Sequence, residues 1–317
     1  MKILFVGYSN LIKKRILPIL ERIVEIDSIE IAKFVSQSWD EEYKCISRPV
    51  KLYDDYESAL KSSNAAIAYI STTNNSHYEI AKATLHAGMH TIVDKPAAIL
   101  LSETEDLICL AKEKGLLLSE STVYTYHPQI EQIKSLFVKE NSIPKLITVL
   151  FSFPPLNSDN FRYKKELGGG ALLDTGIYAV SIGRCFFDSL PESCYYNKND
   201  SIEGGLEISY SLLMKYPGGR TLIGHFGFNT EYINHLNILS EKINIDVDRI
   251  FTVPDNIQNK ITVRSKNSSY DIYSAIGNAF ELYLKAIFKQ LKSGEYEILY
   301  SNMLTDAISR NLINKNK

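Results

Sequence analysis

Lys2-Ile3-Leu4-Phe5-Val6-Gly7-Tyr8-Ser9-Asn10-Leu11-Ile12 is the stretch whose pattern settles the fold class. Lys2 to Val6 is a short apolar run closed by Gly7, which suits a strand buried on both faces of a parallel sheet. From Ile12 to Ile23 apolar residues return at helical spacing. Ile16, Ile19, Leu20 and Ile23 form the stripe, and Pro18 is early enough to be tolerated. Strand, tight turn and helix make a nucleotide-binding opening, and the alternation continues. Strands are expected at Ser28–Ser36, Ala65–Ser71, His90–Val93 and Leu116–Ser119. Helices are expected at Tyr56–Lys61, Ser76–His86 (stopped by Gly88) and Ser102–Lys114 (closed by Gly115). This spacing predicts an α/β fold with a doubly wound parallel sheet of the Rossmann type, whose ligands bind beyond the carboxyl ends of the strands.

After Ser121 the pattern changes. Lys145–Phe153 reads as a strand and Gly170–Phe187 as a long helix, followed by strands at Leu206–Tyr216 and Arg220–Phe228 joined by Pro217-Gly218-Gly219. In the first of these, Leu206, Ile208, Tyr210, Leu212 and Met214 alternate with mostly polar neighbours, so one face is apolar. Asn234–Phe251 and Lys260–Arg264 can extend this mostly antiparallel sheet, and helices over Asn278–Lys292 and Tyr300–Ile313 end the chain. Two domains are expected: a dinucleotide-binding domain over 1–121, and an α+β domain over 122–317 for substrate binding and oligomerisation. The crevice between them is the default active site.

A chain of 317 residues exceeds what one core usually supports, and a 45% apolar composition supplies material for two. The formal net charge of -2 leaves no footprint for nucleic acid or a membrane surface, so small molecules are the expected partners. Cys45, Cys109, Cys185 and Cys194 have no metal-type spacing and read as reduced thiols. No apolar run approaches the roughly twenty residues that span a bilayer. The apolar start is too short for a signal peptide. A cytoplasmic protein is expected.

A dinucleotide fold normally follows its first strand with Gly-x-Gly-x-x-Gly. Here only Gly7 remains. Ser9 stands in the second position, where it can hydrogen-bond phosphate, and Ile12 in the third holds the helix farther from the sheet. The second strand runs into Ser36-Gln37-Ser38, without the acid that accepts a ribose 2′-hydroxyl and repels a 2′-phosphate. That permits a phosphorylated cofactor; the three residues can equally be a solvated loop.

Two further stretches carry chemistry. In Val93-Asp94-Lys95-Pro96 a lysine is set against a proline at a strand exit, where the backbone restrains it. In Gly168-Gly169-Gly170-Ala171-Leu172-Leu173-Asp174-Thr175-Gly176-Ile177-Tyr178 a carboxylate and a phenol lie four residues apart on one helix face. His86 and His90 have i, i+4 spacing, but Gly88 breaks any shared face and no metal is expected.

With these stretches the chain resembles the glucose-fructose oxidoreductase / inositol dehydrogenase / rhizopine catabolism (Gfo/Idh/MocA) family over nearly its whole length. The likeness rests on Ser71-Thr72-Thr73-Asn74-Asn75-Ser76-His77, Ala87 to Pro96, Tyr124-Thr125-Tyr126-His127-Pro128, and Gly168 to Tyr178. Lys13-Lys14-Arg15-Ile16-Leu17-Pro18 and the Asp-x-Gly-x-Tyr ending resemble the branch that reduces keto groups on nucleotide-linked deoxysugars.

The resemblance implies hydride transfer between a nicotinamide and a sugar carbon, NADP(H) being favoured over NAD(H), with Lys95, Tyr178 and Asp174 as catalytic residues. Lys95 would lie near the sugar oxygen, where burial beside the nicotinamide would lower its pKa. Asp94 stands where the family usually has Glu. Tyr178 stands where many relatives have histidine, and a phenol titrating near 10 serves better as a donor in reduction. Gly7, Ser9, Asn10, Leu11, Ser36, Gln37, Ser38, Ser71, Thr72, Thr73, Asn74, His77, Asp94 and Lys95 would meet the cofactor. Tyr126, His127, Arg162, Asp174 and Tyr178 would meet the substrate, Arg162 through a phosphate. A homo-oligomer through the open face of the second sheet is implied. Two alternatives stay open: a silent sugar- or cofactor-binding partner subunit, and an enzyme recycling hydride through tightly held cofactor.

Overall fold

The computed structural model describes residues 1–34 and 39–316. The chain forms two compact units, Met1–Thr122 with Phe280–Leu304, and Val123–Ala279 with Thr305–Lys317. The sequence division gives everything after residue 121 to the second unit. Phe280–Leu304 instead folds with the first, because Tyr300 and Met303 join its core and the Tyr283 hydroxyl donates to Ser119 Oγ at 2.8 Å.

In the first unit, parallel strands β1 (Lys2–Val6), β2 (Ser28–Ala32), β3 (Val50–Tyr53), β4 (Ile67–Ile70), β5 (His90–Val93) and β6 (Leu118–Glu120) lie in the order β3-β2-β1-β4-β5-β6. Helices α1 (Tyr56–Ser62), α2 (His77–His86) and α3 (Leu101–Lys114) connect them. Ile3, Leu4, Phe5 and Val6 are fully buried, so the opening run is enclosed on both faces as its composition requires. Burying each such side chain contributes about 1.5–3 kcal/mol. This is the doubly wound sheet the alternation predicts.

Three details differ. The edge strand β3 was not expected; it is four residues long with Lys51 exposed, too short for a period to register. β2 closes at Ala32, earlier than expected. The first connection is a π turn, Ile12–Ile16, running into a 3-10 turn, Leu17–Arg22. Pro18 has no N–H, so a regular i→i−4 ladder cannot pass through it. The apolar stripe survives the change, with Ile16, Ile19, Leu20 and Ile23 all buried.

The second unit contains α4 (Pro128–Lys139), β7 (Pro144–Ser152), α5 (Ala171–Phe187), β8 (Ser193–Ser201), β9 (Glu207–Tyr216), β10 (Arg220–Gly227), β11 (Ile233–Ser240), β12 (Ile243–Asp248), β13 (Lys260–Ser265) and β14 (Ser269–Tyr273). Helices α6 (Ala279–Ser293) and α7 (Glu297–Asn314) complete the chain. The eight strands run β14-β13-β12-β11-β7-β10-β9-β8, antiparallel throughout except for the β7–β10 pair. α5 packs against β7, β9 and β10. Leu222 is buried while Ile223 beside it is 41% exposed, so the alternation leaves one face of β10 open. Asn234–Phe251, expected as one extension, is the β11–β12 hairpin. α4, β8 and β14 had no expectation attached. β8 is largely polar and exposed beyond Cys194 and so carries no burial period. Among the described residues no helix is long and apolar enough to cross a membrane.

Candidate active site

At the carboxyl end of β1, Gly7 has φ +97 and a Cβ there would lie 2.2 Å from the Ser71 carbonyl oxygen. Only glycine lets the turn lie this close to the end of β4. Ser9, in the place of the usual second glycine, has its hydroxyl 2.7 Å from that of Ser71. Ser71 donates its own proton to Asp94 Oδ2, so the proton between the two serines belongs to Ser9. Ser9 Oγ in turn accepts from the Ile12 N–H at 3.2 Å. The Ser9 proton is therefore directed at Ser71.

Asp94 gathers two more hydroxyls on Oδ1, from Tyr69 at 2.8 Å and Ser121 at 2.9 Å. Beyond Lys95, the Pro96 carbonyl lies 2.7 Å from His77 Nδ1, and the Ala97 N–H donates to Glu120 Oε2 at 2.6 Å. The residues on both sides of Lys95 are thus held by side chains from β4, from α2 and from β6 with its exit. Lys95 itself is half-buried.

His77, expected at the cofactor, is buried, with Nε2 3.2 Å from the Thr72 carbonyl. It lies between the Thr72 loop and the Lys-Pro turn, and because both contacts are to carbonyl oxygens the neutral ring donates to only one of them. The shorter contact assigns its single proton to Nδ1. In the same loop Thr72 Oγ1 meets Ser76 Oγ at 2.7 Å, Thr73 donates to Asn75 Oδ1 at 2.7 Å, and Asn74 is buried. Asn10 is exposed and Leu11 half-buried beside the turn. Ser36, Gln37 and Ser38 lie outside the described residues.

Burial, ahead of every other influence, holds the imidazoles of His77, His90, His127 and His225 below their usual pKa. A group depressed in the folded state gives stability above its unfolded pKa and loses it on acidification. The thermal midpoint should therefore fall as pH drops below about 6.5. Replacing His77 by Gln should flatten that fall in a melting series across pH; an unchanged slope would remove His77 from the effect.

In the second unit the glycine run is a close-packed turn. A Cβ on Gly169 would lie 2.6 to 2.8 Å from the carbonyl oxygens of Arg162, Phe161 and Lys164, and the Gly170 N–H donates to the Arg162 carbonyl at 2.9 Å. This brings Arg162 to the start of α5, where its Nε donates to Asp174 Oδ2 at 2.8 Å. Two residues expected to meet substrate separately are one ion pair, with Asp174 buried and Arg162 26% exposed. The coulombic pull of Asp174 holds the guanidinium above its usual pKa against the opposing effect of burial.

One turn along α5, the Tyr178 ring packs against Phe251 at 4.6 Å, Phe151 at 5.0 Å and Tyr124 at 5.8 Å between centroids. The phenol is held by rings on three sides. Tyr126 is half-buried, and burial raises its pKa. His127 caps α4, accepting from the Gln129 N–H at 3.3 Å, and is buried.

Comparison with known proteins gives the setting. The family model described as "Oxidoreductase family, NAD-binding Rossmann fold" matches residues 1–122, and "GFO/IDH/MocA C-terminal domain" matches residues 144–245. The chain belongs to the Gfo/Idh/MocA oxidoreductase family. A dTDP-3,4-didehydro-2,6-dideoxy-alpha-D-glucose 3-reductase from Saccharopolyspora spinosa is 30% identical over 67% of this chain, which spans 64% of that relative's length. The Actinomadura kijaniata enzyme of the same name is 25% identical over 92% of this chain and 87% of its own. A crystal structure of a 3-ketoreductase from Actinomadura kijaniata in complex with NADP and TDP-benzene shares the fold, with a TM-score of 0.90 and 22% identity over 100% of this chain and 97% of that one.

The first unit of this Gfo/Idh/MocA protein has the strand order of a doubly wound sheet. β1 pairs with β2 on one side and β4 on the other, so strand order reverses beyond Gly7 and Ser71, where doubly wound sheets take ligands. Sequence reasoning missed Tyr69, Glu120, Ser121, Phe151 and Phe251. The polar run Ser119-Glu120-Ser121-Thr122 closing an apolar strand was the available signal for two of them.

Proposed function

We propose that the protein reduces a keto group on a nucleotide-linked deoxysugar, using NADPH in preference to NADH. The observation that carries this reading is the turn at the carboxyl end of β5, where the residues flanking Lys95 are held on each side. Membership of an oxidoreductase family and the likeness to two dTDP-deoxysugar 3-reductases support it. A bound nicotinamide would supply the hydride, and Gly7, Asn10, Leu11, Thr72, Thr73 and Asn74 are the residues we assign to hold it. Lys95 gives the proton to the sugar oxygen. Tyr178, restrained by its three aromatic neighbours, is a second donor. Arg162, paired through Nε with Asp174, is the residue we assign to a substrate phosphate, and Asp174 is the one we assign to a sugar hydroxyl. Self-association through the open face of the eight-stranded sheet, where Ile223 and Leu239 are exposed, belongs to the same proposal.

The direct test supplies the purified protein with dTDP-3,4-didehydro-2,6-dideoxyglucose and follows loss of reduced nicotinamide. NADPH should be consumed in proportion to sugar reduced, with NADH at least about tenfold less efficient, a difference of about 1.4 kcal/mol. No turnover with either cofactor would remove the reductase reading, and a preference for NADH would reverse the cofactor assignment. Exchange of labelled hydride between two sugars without net cofactor use would favour internal recycling instead.

A further inference from the structure

We propose that Asp94 is a positioning residue for Lys95, fixed by hydroxyls from Tyr69, Ser71 and Ser121, and is not a ligand of the cofactor. The inference rests on the reading of Lys95 as proton donor. It starts from the acceptor count. An ionised carboxylate has about four lone-pair sites. On Asp94 three are taken, and the donors are themselves shut off from water: Tyr69, Ser71 and Ser121 are all buried. Ser9 extends the chain by donating to Ser71 while accepting from the Ile12 N–H, so the protons run in one direction and end on Asp94. Hydrogen bonds aligned in series strengthen one another.

Their placement shows what they fix. Ser71 follows β4, Asp94 follows β5 and Ser121 follows β6, so the carboxylate of the middle strand is tied to both neighbours. The Asp94 N–H also donates to the Ile70 carbonyl at 2.9 Å, and the Ser121 N–H to the Val93 carbonyl at 2.8 Å. The backbone entering Lys95 therefore cannot swing. Buried polar groups cost free energy unless they are paired. Phe, Ala and Ala at positions 69, 71 and 121 would leave nothing to satisfy if position 94 were apolar. The arrangement makes sense as a mount for the amine on the next residue, with His77 and Glu120 securing the far side.

The experiment compares Tyr69→Phe, Ser121→Ala, the double variant and Asp94→Asn in the intact protein. Because a misplacement of about 1 Å can cost about a hundredfold, the double variant and Asp94→Asn should lose on the order of a hundredfold in kcat, and each single hydroxyl deletion about five- to tenfold. The NADPH dissociation constant, read from the fluorescence of Trp39, the only tryptophan, should stay within about twofold of the parent. A second readout needs no turnover. After isotope-labelled reductive methylation, the Lys95 resonance, assigned by its loss in Lys95→Met, should be shifted in the parent and collapse towards the exposed lysines in the double variant. Loss of kcat with cofactor affinity and the thermal midpoint held, together with that collapse, supports the mount. Unchanged kcat and resonance, or a loss confined to cofactor affinity, overturns it. If the parent reduces no keto-sugar yet the resonance still collapses, the mount stands and the functional reading falls.

Discussion

Replacing Lys95 by methionine is expected to lower turnover about a thousandfold, roughly 4 kcal/mol of transition-state stabilisation, while NADPH affinity changes by less than about threefold. Methionine keeps most of the volume and removes the amine and its charge. The side chains that shape the turn act on its neighbours: three hydroxyls on Asp94, His77 on the Pro96 carbonyl, Glu120 on the Ala97 N–H. The fold around the substitution should therefore stay intact, and steady-state kinetics with cofactor titration on the same preparation separate chemistry from binding. Tyr178→Phe is the comparison. Its ring contacts with Phe251, Phe151 and Tyr124 do not depend on the hydroxyl, and about tenfold is expected for a secondary donor. The alkaline limb of the pH-rate profile should vanish in the lysine variant and persist in the tyrosine variant. The opposite pattern would make Tyr178 the principal acid.

Why Lys95 could be singled out from sequence, when the contacts that hold its neighbours could not, is a matter of range. Val93-Asp94-Lys95-Pro96 is local: a proline after a lysine at the end of an apolar run constrains the backbone whatever surrounds it. Tyr69, Ser71 and Ser121 meet Asp94 across 25, 23 and 27 residues of chain, and although Ser71 was expected at the cofactor, nothing in their immediate neighbours marks any of the three as a partner of Asp94. The same division governs the fold. β1 and β4 are apolar runs and β5 ends in one, so they are legible, as are α2 and α3, whose stripes end at glycines. β3 and β14 are short edge strands, and β8 is largely polar, so pairing with a neighbouring strand makes them strands. Arg162 and Asp174 were each picked out, but their union depends on the Gly169 approach to the 161–164 carbonyls, which composition alone does not reveal. Ser9 carries the sharpest lesson. Read as a substitute phosphate contact, it also stands in the chain of hydroxyls that ends on Asp94, which its local sequence does not show.

The largest effect on stability should come from Gly7→Ala. A methyl group at that position would meet the Ser71 carbonyl oxygen at 2.2 Å, and both sides of the contact are pinned. The Gly7 N–H donates to the Ala32 carbonyl and the Ser71 N–H to the Val6 carbonyl, each at 2.8 Å, so neither backbone can retreat without breaking the parallel ladder. The φ of +97 adds its own cost, of order 1–3 kcal/mol for a residue with a Cβ. Together these should remove at least about 3 kcal/mol and lower the thermal midpoint by on the order of 10 °C. Gly88→Ala supplies the control. Gly88 also has positive φ, +80, but an added Cβ would meet nothing within 4 Å, so only the conformational cost applies and about 1 kcal/mol is expected. Denaturant unfolding of the two variants beside the parent isolates the contribution of the close approach between the β1 turn and the end of β4. Equal losses would mean that the approach contributes nothing beyond dihedral preference, and that the Ser9–Ser71–Asp94 chain is not rigidly founded on it.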